Sequence, residues 1–148
     1  MKLLALLLLA GLALAPSAHA RVCAVTVDST DQMTFSQREV KVAGDCTQVK
    51  LTLRHTGKLA ATAMGHNWVL TKTADYQPVA MAGMRMKLAD SYLPKGDARV
   101  IAHTPVIGGG QSTSVTFSTA TLKKGGDYTF FCSFPGHFAM MKGKLIFG

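Results

Sequence analysis

Apolar and polar residues alternate with period two in several runs along the chain, as they do in half-buried strands. The clearest run is 48–53, in which Val49, Leu51 and Leu53 share one face. The other candidate strands are residues 22–27, 66–71, 99–102, 112–118, 127–132 and 143–147. Short strands at this spacing, separated by glycine-rich turns, indicate an all-β protein with a Greek-key antiparallel β-sandwich.

The pattern changes between Thr73 and Leu93, where residues that favour helices replace the alternation. We therefore expect one short helical insertion between strands. Tyr128, two residues after Gly126, has the spacing of a tyrosine corner, in which the phenol bonds the backbone a few residues upstream.

The first 20 residues have the composition of a secretory leader. Lys2 is followed by an apolar run from Leu3 to Leu14 and by the small-residue cleavage signal Ala18-His19-Ala20. The apolar run is shorter than the roughly 20 residues that span a bilayer, so no stable membrane insertion is expected. We predict a signal peptide over 1–20 and a single exported domain over 21–148.

The charge of the chain narrows the choice of partners. The sequence has 16 Lys and Arg against 8 Asp and Glu, and of these only Lys2 lies in the leader, which leaves the mature chain at +7. The positive residues are scattered, with no basic run and no interleaved aromatic residues, so nucleic-acid binding is not expected.

Three cysteines in an exported protein leave one that cannot be in an intramolecular disulfide. Cys23 and Cys46 lie in ordinary strand and turn sequence near the N-terminus. We predict a disulfide between them, because the compartment is oxidising and both lie outside the loop that holds Cys132.

Cys132 begins a segment with the composition of a metal-binding loop. His137 follows five residues later and Met141 four residues after that, while Pro135-Gly136 allows the loop to turn back. A further imidazole must come from elsewhere, and His66 at the start of a candidate strand can supply it.

Two imidazoles, one thiolate and a weak axial thioether are the ligands of a blue-copper electron-transfer site. Soft sulfur ligands favour Cu(I), and imidazole accepts both oxidation states. The Gly65 carbonyl can approach from the other axial side because glycine has no side chain. A zinc site is the rival interpretation, but thioether is a poor ligand for zinc. We expect one copper ion that cycles between Cu(I) and Cu(II).

With these residues identified, the sequence resembles the azurins of the cupredoxin family over essentially the whole of 21–148. The resemblance rests on the spacing Cys132-x4-His137-x3-Met141 and on residues 64–70, 99–104 and 130–132. It implies an eight-stranded Greek-key sandwich and one-electron transfer in the periplasm. Carried over by position, the copper ligands are Gly65, His66, Cys132, His137 and Met141. Asn67 would tie the two ligand loops together, and Phe134 would pack beside the Cys132 sulfur.

The resemblance also implies a surface through which electrons pass. The loop that carries His137 supplies the apolar residues Pro135, Ala139 and Met140. The resemblance places further apolar side chains around the same end of the sandwich: Met33, Leu59, Ala63, Met64 and Met84. A contiguous exposed apolar patch usually marks an interaction surface. We expect a monomer that exchanges electrons with redox proteins such as c-type cytochromes or periplasmic reductases, including acidic ones steered by the basic charge.

The remaining His and Met residues have simpler explanations. His55 continues the inward row of its strand and is expected to be a buried core residue, while His103 is expected at the surface. Met81, Met84 and Met86 resemble Cu(I)-holding Met clusters, which makes a periplasmic copper carrier or store the alternative function. Packing of the helix is the simpler explanation for these methionines.

An enzyme is not expected, because a second, catalytic copper site needs further histidines. Residues 21–148 contain four, and two are assigned to the electron-transfer site.

Overall fold

The computed structural model describes residues 20–148, and strands dominate this part of the chain. The strands are β1 (Val22–Thr30), β2 (Thr34–Phe35), β3 (Glu39–Val42), β4 (Gln48–His55), β5 (Val69–Lys72), β6 (Val100–His103), β7 (Ser112–Ser118), β8 (Tyr128–Phe131) and β9 (Lys142–Phe147). Two α-helices, α1 (Ala61–Met64) and α2 (Thr73–Gly83), and two 3-10 helices, Leu88–Asp90 and His137–Ala139, complete the described elements. The predicted leader, residues 1–20, lies outside the described residues except for Ala20 and stays a prediction.

The strands form two sheets, ordered β2-β1-β4-β7 and β3-β9-β8-β5-β6. The chain passes repeatedly from one sheet to the other, as it does in a Greek-key sandwich, and the predicted sandwich is confirmed. The expectation that all pairing is antiparallel is wrong, because β1 pairs with β4 and β3 with β9 in parallel. Each parallel pair is joined by a long connection that returns the chain to the same end of the sandwich.

Side-chain alternation places the core between the sheets. Val49, Leu51 and Leu53 on β4 are completely buried, and His55 continues their row at 2% exposure, as predicted. The Trp68 ring stacks against Phe117 and Phe130 at centroid distances of 6.0 and 5.7 Å. These contacts join the two sheets through the middle of the sandwich.

Helix α2 is the predicted helical insertion, and it covers the outer face of the second sheet. Val79 and Ala80 on α2 pack against Val69 and Phe131 in a second apolar cluster. Every residue of β8 is therefore buried, without alternation. Helix α1 and the short strands β2 and β3 were not predicted, since runs of two to four residues show too little periodicity.

Two local predictions about turns and cross-links are confirmed. The backbone N–H of Lys123 donates to the Tyr128 hydroxyl at 2.7 Å, which is the tyrosine corner. Cys23 and Cys46 form a disulfide with a Cα–Cα distance of 5.8 Å, and Cys132 is the free cysteine of the described chain.

Replacing both Cys23 and Cys46 with Ala should lower the free energy of unfolding by about 3.5 kcal/mol, because the disulfide restricts the unfolded chain. Urea denaturation of the metal-free variant and of the metal-free parent measures the difference. Thiol titration of the denatured, unreduced parent should find one free thiol. Three free thiols would contradict the disulfide.

Candidate metal centre

Three side chains from two segments meet at one end of the sandwich. Cys132 directly follows β8, and His66 lies between α1 and β5. Because β5 and β8 are paired with Val69 opposite Phe131, the end of β8 brings Cys132 beside the segment that precedes β5. His137 begins the 3-10 helix of the loop between β8 and β9, after Gly136 turns the chain with φ 82°.

The distances between these side chains suit a single metal ion. The Cys132 Sγ lies 3.8 Å from the Nδ1 of His66 and 3.8 Å from the Nδ1 of His137, and the two nitrogens are 3.3 Å apart. With metal bonds of about 2.3 Å to sulfur and about 2.0 Å to nitrogen, ligands spread evenly around one ion lie about 3.7 Å (S to N) and about 3.5 Å (N to N) apart. The three side chains are therefore spaced to bind one metal ion. One thiolate with two imidazoles is the set of ligands expected for copper.

The hydrogen bonds of His66 select the tautomer that a metal needs. Its Nε2 lies 2.8 Å from the carbonyl oxygen of Thr30, to which it must donate. The Nδ1 is then the unprotonated nitrogen, and it faces the Cys132 sulfur. A fixed partner on the outer nitrogen also holds the ring in place, as is usual for metal-binding histidines.

Burial keeps the metal-free site uncharged. It lowers the pKa of His66 to about 4 and raises the pKa of the Cys132 thiol to about 12. Burial also lowers the pKa of His137. The backbone N–H groups of Asn67 and Phe134 face the Cys132 sulfur and lower the pKa of the thiol, but the effect of burial is larger. Both imidazoles are therefore neutral at pH 7, and the thiolate forms only when a cation is present to balance it.

The buried Asn67 side chain joins the two ligand-bearing segments. Its Oδ1 accepts the Ser133 backbone N–H at 2.8 Å, and its Nδ2 donates to the Ser133 Oγ at 2.8 Å. The Ser133 hydroxyl donates in turn to the carbonyl of Ser91 at 2.7 Å. Since Ser133 directly follows Cys132 and Asn67 directly follows His66, this network fixes the sulfur relative to the first imidazole. Sequence reasoning had not found Ser133 and Ser91.

Met141 and Gly65, the predicted axial groups, contact the segments that carry Cys132 and His137 in different ways. Met141 is completely buried, its N–H donates to the carbonyl of His137 at 2.8 Å, and its carbonyl accepts the N–H of Cys132 at 3.0 Å. The Gly65 carbonyl oxygen lies 3.9 Å from the Cys132 sulfur. A side chain at Gly65 would overlap the carbonyl of Ala61. Met140, by contrast, is 62% exposed and points away from the site, as expected.

His55 supports the site without joining it. The N–H of Gly57 donates to its Nδ1 at 3.1 Å, so its Nε2 carries the proton and donates to the carbonyl of Met64 at 2.8 Å. Its ring stacks on that of His66 with a centroid distance of 4.5 Å. The Phe134 ring is 4.4 Å from that of His137, so this side chain packs against an imidazole of the site. His103 is exposed, as expected.

The apolar side chains of the patch predicted around His137 are all exposed or half-buried. Leu59, Met84 and Met140 are 45%, 47% and 62% exposed. Ala63 and Ala139 are also exposed, while Met33, Met64 and Pro135 are half-buried. The Asp31 carboxylate accepts the N–H groups of Lys58 and Leu59, which ties the turn carrying Met33 to the loop carrying Leu59. His137 itself is 5% exposed.

Met81 in α2 and Met84, which directly follows α2, do not pack as expected. Met81 and Met84 are 51% and 47% exposed, and both line a surface groove with Ala82 and Arg85. The helix buries Val79 and Ala80 instead, so packing does not explain Met81 and Met84.

Comparisons with known proteins agree with this geometry. The model of copper-binding proteins of the plastocyanin/azurin family matches residues 21–148. The azurin of Bordetella pertussis is 56% identical over 123 residues, 83% of this chain and 82% of that protein. The azurin of Pseudomonas fluorescens biotype C is 54% identical over 123 residues, 83% of this chain and 96% of that protein. A solved structure, azurin Az-iso2 from the obligate methylotroph Methylomonas sp. strain J, has a TM-score of 0.82 at 46% identity and covers 85% and 98% of the two chains.

The chain therefore belongs to the plastocyanin/azurin family of copper-binding proteins. Azurins bind one copper ion and transfer electrons, and this chain is a copper-containing electron carrier with a His66, Cys132 and His137 group suited to one ion.

Replacing Asn67 with Leu should lower the free energy of unfolding of the metal-free protein by about 2–4 kcal/mol, because it leaves the buried Ser133 N–H without a partner. The visible spectrum of the copper-loaded variant should also change, because the sulfur is no longer fixed. Urea denaturation and absorption spectroscopy measure the two effects.

Thr119→Val is the matched control, since the Thr119 hydroxyl donates to the Cys46 carbonyl far from the site. It should cost about 1 kcal/mol and leave the spectrum unchanged. If Asn67→Leu behaves like this control in both measurements, Asn67 does not hold the two segments together.

Proposed function

We propose that this protein is a periplasmic one-electron carrier whose copper is held by His66, Cys132 and His137. Met141 is the weak axial ligand and the Gly65 carbonyl the opposite one. The observation that carries the proposal is the convergence of one sulfur and two imidazole nitrogens at one buried point. This donor set is that of a blue-copper electron-transfer site.

The protein holds the proposed ligands rigidly and buries them away from water. Copper supplies the one-electron couple when it is bound. Cys132 and His66 are completely buried, and the Asn67 network together with the Thr30 carbonyl limits how far either can move. A ligand set that changes little between oxidation states lets the electron transfer with little reorganisation.

His137 is the route by which electrons reach the buried site. Of the three converging side chains it alone is not completely buried. The proposed docking patch around it consists of apolar side chains that are exposed or half-buried: Met33, Leu59, Ala63, Met64, Met84, Pro135, Ala139 and Met140. A partner that docks on this patch excludes water and comes within a short distance of the metal.

The cellular setting follows from the leader and the disulfide. A cleaved signal peptide over 1–20 would deliver the chain to an oxidising compartment, where the Cys23–Cys46 disulfide persists. The partners are then c-type cytochromes or periplasmic reductases, and the protein acts as a monomer. We propose that it is not an enzyme, because a second, catalytic copper site needs further histidines and only His55 and His103 of residues 21–148 remain for one. Among residues 20–148, no helix has the length and apolar character that crossing a bilayer requires.

A copper carrier or store remains the second candidate because Met81 and Met84 are exposed instead of packed. Thioethers at the surface can bind Cu(I). The colour of the copper-loaded protein separates the two functions. An intense blue Cu(II) form supports electron transfer, and a colourless Cu(I) form supports copper transport.

Replacing Cys132 with Ser should abolish the blue colour, because the colour arises from charge transfer from the thiolate to Cu(II). Replacing Met141 with Leu should preserve the colour and shift the reduction potential, because the axial contact is weak. Absorption spectroscopy and voltammetry measure these effects. A Cys132→Ser variant that stays blue would overturn the ligand assignment.

Replacing Met64 with Lys should slow electron self-exchange and reaction with a cytochrome, because it places a charge in the docking patch. The spectrum and potential should stay nearly unchanged. Val22→Lys is the matched control: Val22 is 52% exposed and lies at the far end of β1, roughly 26 Å along the strand from Thr30.

Equal rates for the Met64→Lys and Val22→Lys variants would show that docking occurs elsewhere. Self-exchange is measured by NMR line broadening and the cytochrome reaction by stopped flow.

A further inference from the structure

Two positive side chains lie on a ridge beside the copper-binding loop. Arg38 and Lys142 line one groove together with Met33, Phe35 and Met140. They also line a second groove, which includes Tyr76. The Lys144 N–H donates to the Arg38 carbonyl at 2.9 Å, which places the segment before β3 beside the start of β9. Lys142 directly follows Met141. Both side chains are exposed.

Within residues 20–148, no Asp or Glu side chain forms an ion pair with Arg38 or Lys142. All eight Asp and Glu residues lie in the described part of the chain. Those that form ion pairs do so with other cations: Asp45 with Arg21, Glu39 with Lys41, Asp28 with Arg54, Asp97 with Arg99 and Asp127 with Lys144. Asp31 accepts backbone N–H groups of the Leu59 loop, and neither Asp75 nor Asp90 forms an ion pair with the ridge.

Lys142 is held in place without being neutralised. Its Nζ donates to the Tyr76 hydroxyl at 3.3 Å and lies 5.2 Å from the centre of the Tyr76 ring. The same Tyr76 hydroxyl donates to the Phe138 carbonyl in the copper-binding loop at 3.0 Å. The ammonium group therefore has a fixed position next to that loop and keeps its full charge for an outside partner.

We propose that Arg38 and Lys142 bind carboxylate side chains of an acidic redox protein, while the Met33, Phe35 and Met140 groove contacts apolar surface of the same partner. The inference rests on the proposed function and names the chemistry of the partner at the docking patch. Charge complementarity and continuity with Met33 and Met140 favour this occupant. A second copy of the chain is disfavoured, because a two-fold pairing would bring the same cations together.

The test compares two double variants that lose the same charge. Arg38→Gln/Lys142→Gln removes the ridge. Lys50→Gln/Lys124→Gln removes two exposed cations that also lack ion pairs and lie away from the copper end. Lys124 adjoins Gly125, whose N–H bonds the Phe147 carbonyl at the far end of β9. The probes are an acidic c-type cytochrome, measured by stopped flow at low and high salt, and self-exchange, measured by NMR.

The ridge variant should react with the acidic cytochrome about tenfold more slowly at low salt, and this difference should disappear at high salt. The control variant should stay within about twofold of the parent protein. Self-exchange of the ridge variant should be unchanged or faster, because like charges have been removed from both meeting faces.

Equal slowing in the two variants would overturn the proposal, since net charge alone would then explain the rates. A parallel loss of self-exchange would overturn it too, in favour of contacts between copies. The proposed function can fail separately from this inference. If the copper-loaded parent protein is not blue or does not exchange electrons, the proposed function is wrong before any variant is compared.

Discussion

The hydrogen bonds between Asn67 and Ser133 are the constraint on which the copper site depends. Cys132 and His66 are 66 residues apart in the chain, and each is followed directly by one member of this pair. The paired strands β5 and β8 bring the two segments to the same end of the sandwich, but strand pairing alone does not fix a sulfur against an imidazole. The side-chain amide does so with two short bonds, both completely buried.

Burial and exposure are divided between the ligands in a way that suits electron transfer. The sandwich covers Cys132, His66 and Met141 completely, which keeps water from the sulfur, and leaves a small part of His137 at the surface. The loop that carries His137 also supplies apolar side chains to the surrounding patch. Its own anchor is Tyr76 on α2, which bonds the Phe138 carbonyl. The same loop therefore carries both His137 and several residues of the proposed docking patch.

The sequence identified the three side chains that converge, His66, Cys132 and His137, better than the groups that support them. Cys132, His137 and Met141 share one loop, so their spacing alone indicates a site, and the alternation along β4 correctly turned His55 inward. The supporting carbonyls of Thr30 and Ser91 could not be predicted, because a backbone group has no residue-type signal. Alternation shows which face of a strand is buried but not its direction, so the parallel β1–β4 and β3–β9 pairs were missed. The exposure of Met81 depends on which face of α2 packs against the second sheet, which its composition does not show.

X-ray absorption at the copper edge, recorded for the oxidised and the reduced protein, tests the central claim most directly. The account predicts one short copper–sulfur bond and two copper–nitrogen bonds in both states, with bond lengths that hardly differ between them. A reduced form that loses its nitrogen ligands, or binds copper through several thioethers, would contradict a site built for electron transfer.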